Sequence, residues 1–156
     1  MKVVITGGTG FIGMLLARRI LEIGRLSGPS GKAEPVEELL LFDVAEPPAL
    51  PAWFDQRVGV VTGEIADRDT VFRLIDRDDV GVFHLASVVS GGGEQDFDLA
   101  MRVNLQGNLN LLEALRRNRA GCHCRSVGDH LLSAECLHLR RRCFRHWTAR
   151  LSLASG

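Results

Sequence analysis

The chain has no tyrosine, and its only lysines are Lys2 and Lys32. No phenol is therefore present to exchange a proton, and no ammonium group beyond residue 32 could tune one. Net charge is lacking too: nineteen basic and nineteen acidic side chains cancel, so no overall field favours nucleic acid or an anionic membrane. No apolar run reaches the roughly 18 residues of a membrane-crossing helix. The start, MKVVITGG, passes from one lysine straight into a strand pattern, without the apolar core and cleavage site of a signal peptide. These absences lead to the expectation of a cytoplasmic protein with neither a nucleic-acid nor a membrane partner. What is present is globular: 46% apolar and 24% charged residues match folded domains and exclude general disorder. A length of 156 residues suits one domain and is too short for two full-sized ones.

Short apolar runs alternate with helical patterns. Residues 2–6, KVVIT, are β-branched and continuous, as in a buried parallel strand. Glycines follow, then a helix from about Phe11 to Gly24 whose Ile12, Leu16, Ile20 and Ile23 are expected to form its core face, with Gly24 as the stop. The stretch RLSGPSGKAEP reads as a loop or disordered insertion. A second strand spans Leu39–Val44, and Pro47, Pro48 and Pro51 forbid a regular helix after it. A third spans Arg57–Thr62, followed by a short helix capped by Asp67 or Asp69. A fourth spans Gly81–Ala86, then a turn at Gly91, Gly92 and Gly93, then a long helix from about Asp96 to Asn118. The expected core stripe of that helix is Met101, Leu105, Leu109 and Leu112. Such alternation predicts an α/β fold with a parallel sheet and helices on both faces.

The most specific stretch is Thr6-Gly7-Gly8-Thr9-Gly10-Phe11-Ile12-Gly13, set between the first strand and the first helix. Gly7 permits the tight turn, Gly10 lets backbone approach a pyrophosphate, and Gly13 lets helix and strand pack closely. The amides of Phe11 and Ile12 then open a helix whose unpaired N–H groups and dipole favour an anion. Asp43 closes the second strand, where an acid bonds both ribose hydroxyls of an adenosine and repels a 2′-phosphate, so NAD is favoured over NADP. It stands 30 residues past Gly13, a spacing lengthened by the Gly/Ser/Pro insertion. Asp43 could also be a strand-end turn aspartate.

GGTGFIG, LLLFDV, GEIAD, VFHLAS and VNLQGNLNLLEA occur in this order, and over about residues 1–117 the chain resembles the extended short-chain dehydrogenases/reductases, the NAD-dependent epimerase/dehydratase group. SVVSGGGEQDFDLAMRVN is similar to the D-erythronate dehydrogenase branch of that group. The resemblance implies a Rossmann-like sheet and NAD as cofactor, with a small sugar-acid-like substrate and possible homodimers. It implies pyrophosphate binding at Gly7, Gly10 and Gly13, and adenosine-ribose binding at Asp43. Glu64 and Ile65 match the family's Asp-Ile/Val pair beside the adenine, with glutamate the departure. Leu85, Ala86 and Ser87 would line the nicotinamide side, and Ser87 through Ser90 would face substrate. Asn104 matches the helix asparagine that supports a proton relay; without the family it is a polar residue beside the core stripe, solvated or capping. His84, inside an apolar strand, reads as a satisfied core histidine.

The resemblance also implies a catalytic tyrosine with a lysine four residues later, and this chain contains no such pair. Ser126 falls near the family serine, but its flanks do not match, and no role is carried to it. From Asn118 the composition changes. All four cysteines, four of five histidines and nine of seventeen arginines lie from Arg116 onward, with only Asp129 and Glu135 as acids after Glu113. Residues 1–118 are therefore read as the NAD-binding part. Residues 119–156 are read as an atypical tail, translated out of frame or poorly structured, with the sheet truncated after its fourth strand–helix unit. Without a fifth strand, the GVFHLA edge would be open. A metal site at Cys122, Cys124, Cys136, His138, Cys143 and His146 is an alternative, but its spacings fit no common zinc module, and no metal ligand is assigned. Arg140–Arg142 with Arg145 could make a basic patch, though arginine runs are more often solvated faces. The functional expectation is the NAD-binding portion of a sugar-acid oxidoreductase or epimerase, not competent for turnover as given. A non-catalytic NAD-binding or regulatory module is the alternative.

Overall fold

The computed structural model describes residues 1–28, 31–47, 49 and 51–118, and the backbone of 124–126. A parallel sheet forms from β1 (Lys2–Thr6), β4 (Glu38–Asp43), β5 (Val58–Thr62), β6 (Val80–His84) and β7 (Cys124–Ser126), in the order β5-β4-β1-β6-β7. β1 is central and buried at every residue. Its Thr6 pairs with Phe42 on one side and with His84 on the other. Chain order therefore reverses between β1 and β6, the arrangement that opens a crevice beyond the carboxyl ends of the strands.

Alternation along the strands feeds two cores. Val3, Ile5, Leu39 and Leu41 pack on one face with Ala17 and Ile20 of α1 (Phe11–Ile23). Val4, Phe42 and Val82 pack on the other with α2 (Arg68–Leu74) and α5 (Gly107–Arg117). Each fully buried Val or Ile contributes about 1.5–3 kcal/mol. Asp67 caps α2 by accepting from the Asp69 N–H at 3.1 Å, and Gly24 ends α1 at φ +67.

Five local expectations are corrected. In α1 the buried positions are Gly13, Ala17 and Ile20, while Ile12 and Ile23 are exposed; small residues let the helix approach the sheet. The insertion forms an antiparallel hairpin, β2 (Arg25–Ser27) against β3 (Ala33–Pro35). Its glycines serve the turn, with Gly31 at φ +78 and the Gly28 N–H bonded to the Lys32 carbonyl. The glycine run is helical, as α3 (Ser90–Gln95), with the Gly93 N–H bonded to the Val89 carbonyl at 3.0 Å. The long helix is segmented into α4 (Phe97–Ala100), a π-helical turn (Met101–Gln106) and α5. Its expected stripe faces outward: Met101, Leu105 and Leu109 are 42–48% exposed, whereas Gly107, Asn110, Leu111, Ala114 and Leu115 are buried. Both sides of this helix carry leucines, so periodicity could not choose between them; Gly107 decides, because a Cβ there would lie 2.6 Å from Ile65 Cγ2. Finally, a fifth strand does follow: Cys124–Ser126 pairs in parallel with Val82–His84 and covers that stretch of edge. The metal and basic-patch readings of the tail fall mainly on residues outside those described.

Candidate functional site

The carboxyl ends of β1, β4, β5 and β6 open onto a crevice of about 400 Å³. Its floor is the turn after β1. Gly7 takes φ +68, and a Cβ there would sit 2.9 Å from the Ala86 nitrogen, so only glycine lets the turn and the post-β6 loop touch. The Gly8 N–H donates to the Phe42 carbonyl (3.1 Å) and the Gly10 N–H to the Gly7 carbonyl (3.2 Å). A Cβ at Gly13 would lie 2.3 Å from the Gly7 oxygen, so α1 begins directly on the turn. Gly10 is its N-cap, without a side-chain cap and with no acid in the first turn. The helix's own first turn therefore places no carboxylate on the positive end of its dipole.

Asp43 stands at the end of β4. Its Oδ2 accepts from the Thr9 N–H (3.1 Å) and its Oδ1 from the Val44 N–H (2.8 Å). The carboxylate is thereby fixed against the glycine turn, with lone pairs left for further donors. The Thr6 hydroxyl, fully buried, accepts from the Leu85 and Ala86 N–H groups (3.2 and 3.3 Å) and lies 2.6 Å from His84 Nδ1. His84 is a buried, hydrogen-bonded strand residue that shapes the turn of 85–87.

Of the residues singled out in the sequence, Gly7, Gly10, Asp43, Glu64, Ile65, Leu85, Ala86 and Ser87 line this one crevice. Phe11 and Ile12 lie outside its lining, at the exposed start of α1, and Gly13 acts beneath it as the packing contact just described. Asn104 does not line it either. Its Oδ1 accepts from the Val88 N–H (2.8 Å) and its Nδ2 donates to the Val88 carbonyl (2.9 Å), so it clasps the post-β6 loop to the π-helical turn.

The sequence reading missed the helical wall and one strut. Leu99, Arg102 and Val103 line the crevice; their spacing of three and four was the available signal. Asn110, only 3% exposed, donates through Nδ2 to the carbonyls of Ile65 (3.2 Å) and Ala66 (2.9 Å) and accepts from Gln106 Nε2 (2.9 Å). It ties α5 to the loop carrying Glu64. A lone polar residue between leucines was its only mark in the sequence. The perturbed carboxyls, Asp55, Asp67 and Asp79, are not among the residues that line the crevice. Among the described residues no cluster of His, Cys, Asp or Glu could hold a metal, and no helix is long and apolar enough to cross a membrane.

Comparison with known proteins bears on this geometry. The NAD dependent epimerase/dehydratase family matches residues 3–128. A D-erythronate dehydrogenase of Cupriavidus necator is 48% identical over 116 residues, which are 74% of this chain and 35% of that protein. Among solved structures, the nucleoside-diphosphate-sugar epimerase of Agrobacterium tumefaciens superposes with a TM-score of 0.65 at 31% identity, covering 81% of this chain and 36% of that one. The UDP-glucose 4-epimerase of Thermus thermophilus, in complex with NAD, gives 0.58 at 27% identity, covering 77% and 35%. The chain thus spans about a third of the length of these relatives.

Proposed function

The chain belongs to the NAD dependent epimerase/dehydratase family, and from that premise we propose that it is the NAD-binding portion of an oxidoreductase acting on a sugar acid, with D-erythronate as first candidate. The observation that carries the reading is the Asp43 carboxylate, fixed by the Thr9 and Val44 amides at the mouth of a glycine-floored crevice. The same crevice supports NAD over NADP, because a fixed carboxylate attracts ribose hydroxyls and repels a 2′-phosphate.

The residues fit a dinucleotide. Gly7 and Gly10 leave backbone uncovered at the positive end of α1, and the amides of Phe11, Ile12 and Gly13 open that helix, so a pyrophosphate would find donors there with no acid in the helix's own first turn. Glu64 would accept from the adenine amine, beside Ile65. Leu85, Ala86 and Ser87 would flank the nicotinamide side, and Asn104 would hold their loop in place through Val88. Bound NAD supplies the hydride acceptor, and the protein supplies position and electrostatics. The proton that must leave a substrate hydroxyl has no tyrosine to receive it in these 156 residues, and Lys2 is buried against Asp76 and Glu38 at the opposite end of β1. We therefore assign this chain binding without turnover. The missing tyrosine is also what favours the second reading, a non-catalytic NAD-binding module.

Calorimetry with NAD and NADP tests the proposal. NAD binding with a clear preference over NADP, weakened by Asp43→Asn, supports it. Equal or reversed preference contradicts it. Turnover of D-erythronate when an intact family C-terminal half is supplied would support the oxidoreductase reading over the module.

A further inference from the structure

We propose that Arg102 contacts the cofactor directly: its guanidinium plane covers the adenine base on the side facing away from Ile65 and Ala66. This rests on the reading above, that the Asp43–Glu64 end of the crevice takes the adenosine.

Three observations place the group there. Arg102 lines the crevice between Leu99 and Val103 and, among the described residues, is the only basic one lining it. Val103, its neighbour in the chain, packs against the core cluster containing Ile65, and Gly107 lies against Ile65 itself. The helical wall therefore stands at the Ile65 end of the crevice, away from the glycine turn. Second, six other arginines, Arg57 and Arg77 among them, engage carboxylates. Among the described residues Arg102 forms no such pair, although Asp43 and Glu64 line the same crevice. A cation is favoured in that field without being locked to either acid. Third, besides those two acids the crevice lining that Arg102 shares is largely aliphatic, with Leu99, Val103, Val44, Ile65 and Ala66.

The chemistry then distinguishes base from phosphate. The anion of a dinucleotide is met at the start of α1 by backbone amides. A planar, weakly hydrated guanidinium among aliphatic side chains is suited to stack on a ring, and the attraction grows as water is excluded. An ammonium lacks that plane, so lysine does not substitute.

The test compares AMP with ribose 5-phosphate, titrated into the full chain and followed by backbone amide chemical shifts, for native protein, Arg102→Ala and Arg102→Lys. Both variants are expected to weaken AMP by about threefold to tenfold and to leave ribose 5-phosphate unchanged. The unchanged ligand also reports an intact fold. Rescue by lysine, with ribose 5-phosphate weakened by alanine, would identify a phosphate contact and overturn the proposal. AMP binding unaltered in both variants would overturn it as well. Failure of the native chain to bind AMP or NAD at all would instead remove the nucleotide reading on which it rests.

Discussion

Truncation of Asn110 to alanine removes three hydrogen bonds at a site 3% exposed: two to the carbonyls of Ile65 and Ala66 and one from Gln106. Each is worth about 1 kcal/mol net, and leaving the buried Ile65 carbonyl without this partner adds to the loss. Water can reach Ala66, which is half-buried, and recovers part of it. The expected cost is about 2–3 kcal/mol, which for a domain of this size lowers Tm by roughly 10 °C. The loop bearing Glu64 is freed at the same time, so NAD affinity should fall beyond the loss of stability, measured at a temperature where both proteins are folded. Asn108→Ala is the matched control. It lies on the same helix and gives up one side-chain bond, to the Asn104 carbonyl, and is expected to cost about 1 kcal/mol or less. Thermal unfolding by circular dichroism, paired with calorimetric titration of NAD, measures both effects. An Asn110→Ala protein melting within about 2 °C of native would refute the strut argument.

Two further predictions concern stability. Gly13→Ala places a Cβ 2.3 Å from the Gly7 carbonyl oxygen and 2.7 Å from Gly8 Cα; both are backbone atoms, so the turn or the helix must move. A loss of about 1–3 kcal/mol or more, together with loss of NAD binding, is expected, and a native melt with native affinity would contradict it. Asp79 is held below the ordinary aspartate range chiefly by its hydrogen bonds from Arg77, and Asp55 likewise by Arg57, with desolvation opposing in both. A depressed folded-state value means stability that is present above about pH 4 and lost as pH falls through it. Unfolding midpoints from pH 8 to 2 should therefore owe part of their acid decline to these groups. Asp79→Asn should remove part of that decline, at a neutral-pH cost on the order of 1 kcal/mol or less for so exposed a pair. An unchanged acid limb in that variant would count against it.

The parallel sheet was legible because burial on both faces demands continuous β-branched and leucine runs, as in KVVIT and LLLFDV, and because glycines and Asp43 sit where those runs end. Helix faces were less legible for a specific reason. In α1 the large residues Ile12 and Ile23 face solvent while Gly13 and Ala17 approach the sheet. In α5, Leu109 and Leu111 belong to opposite sides. Apolar spacing identifies a helix but cannot choose between two apolar stripes when the decisive contact is a glycine against Ile65. The hairpin of Arg25–Ser27 and Ala33–Pro35 was hidden because its turn glycines look the same in a loop. The strands and turns of the crevice could be read from local motifs, whereas Arg102 and Asn110 acquire their places only when the helix is laid across the loops after β5 and β6.

The central claim is that a dinucleotide occupies the crevice between the glycine turn and the helical wall. Titrating NAD into isotope-labelled full chain and mapping amide shifts tests it most directly. Perturbations confined to Gly7–Gly13, Asp43–Val44, Glu64–Ala66, Leu85–Val88 and the Leu99–Val103 turn, with the β2–β3 hairpin silent, are the predicted result. No shifts at millimolar NAD, or shifts centred on the hairpin or on α2, would contradict the account.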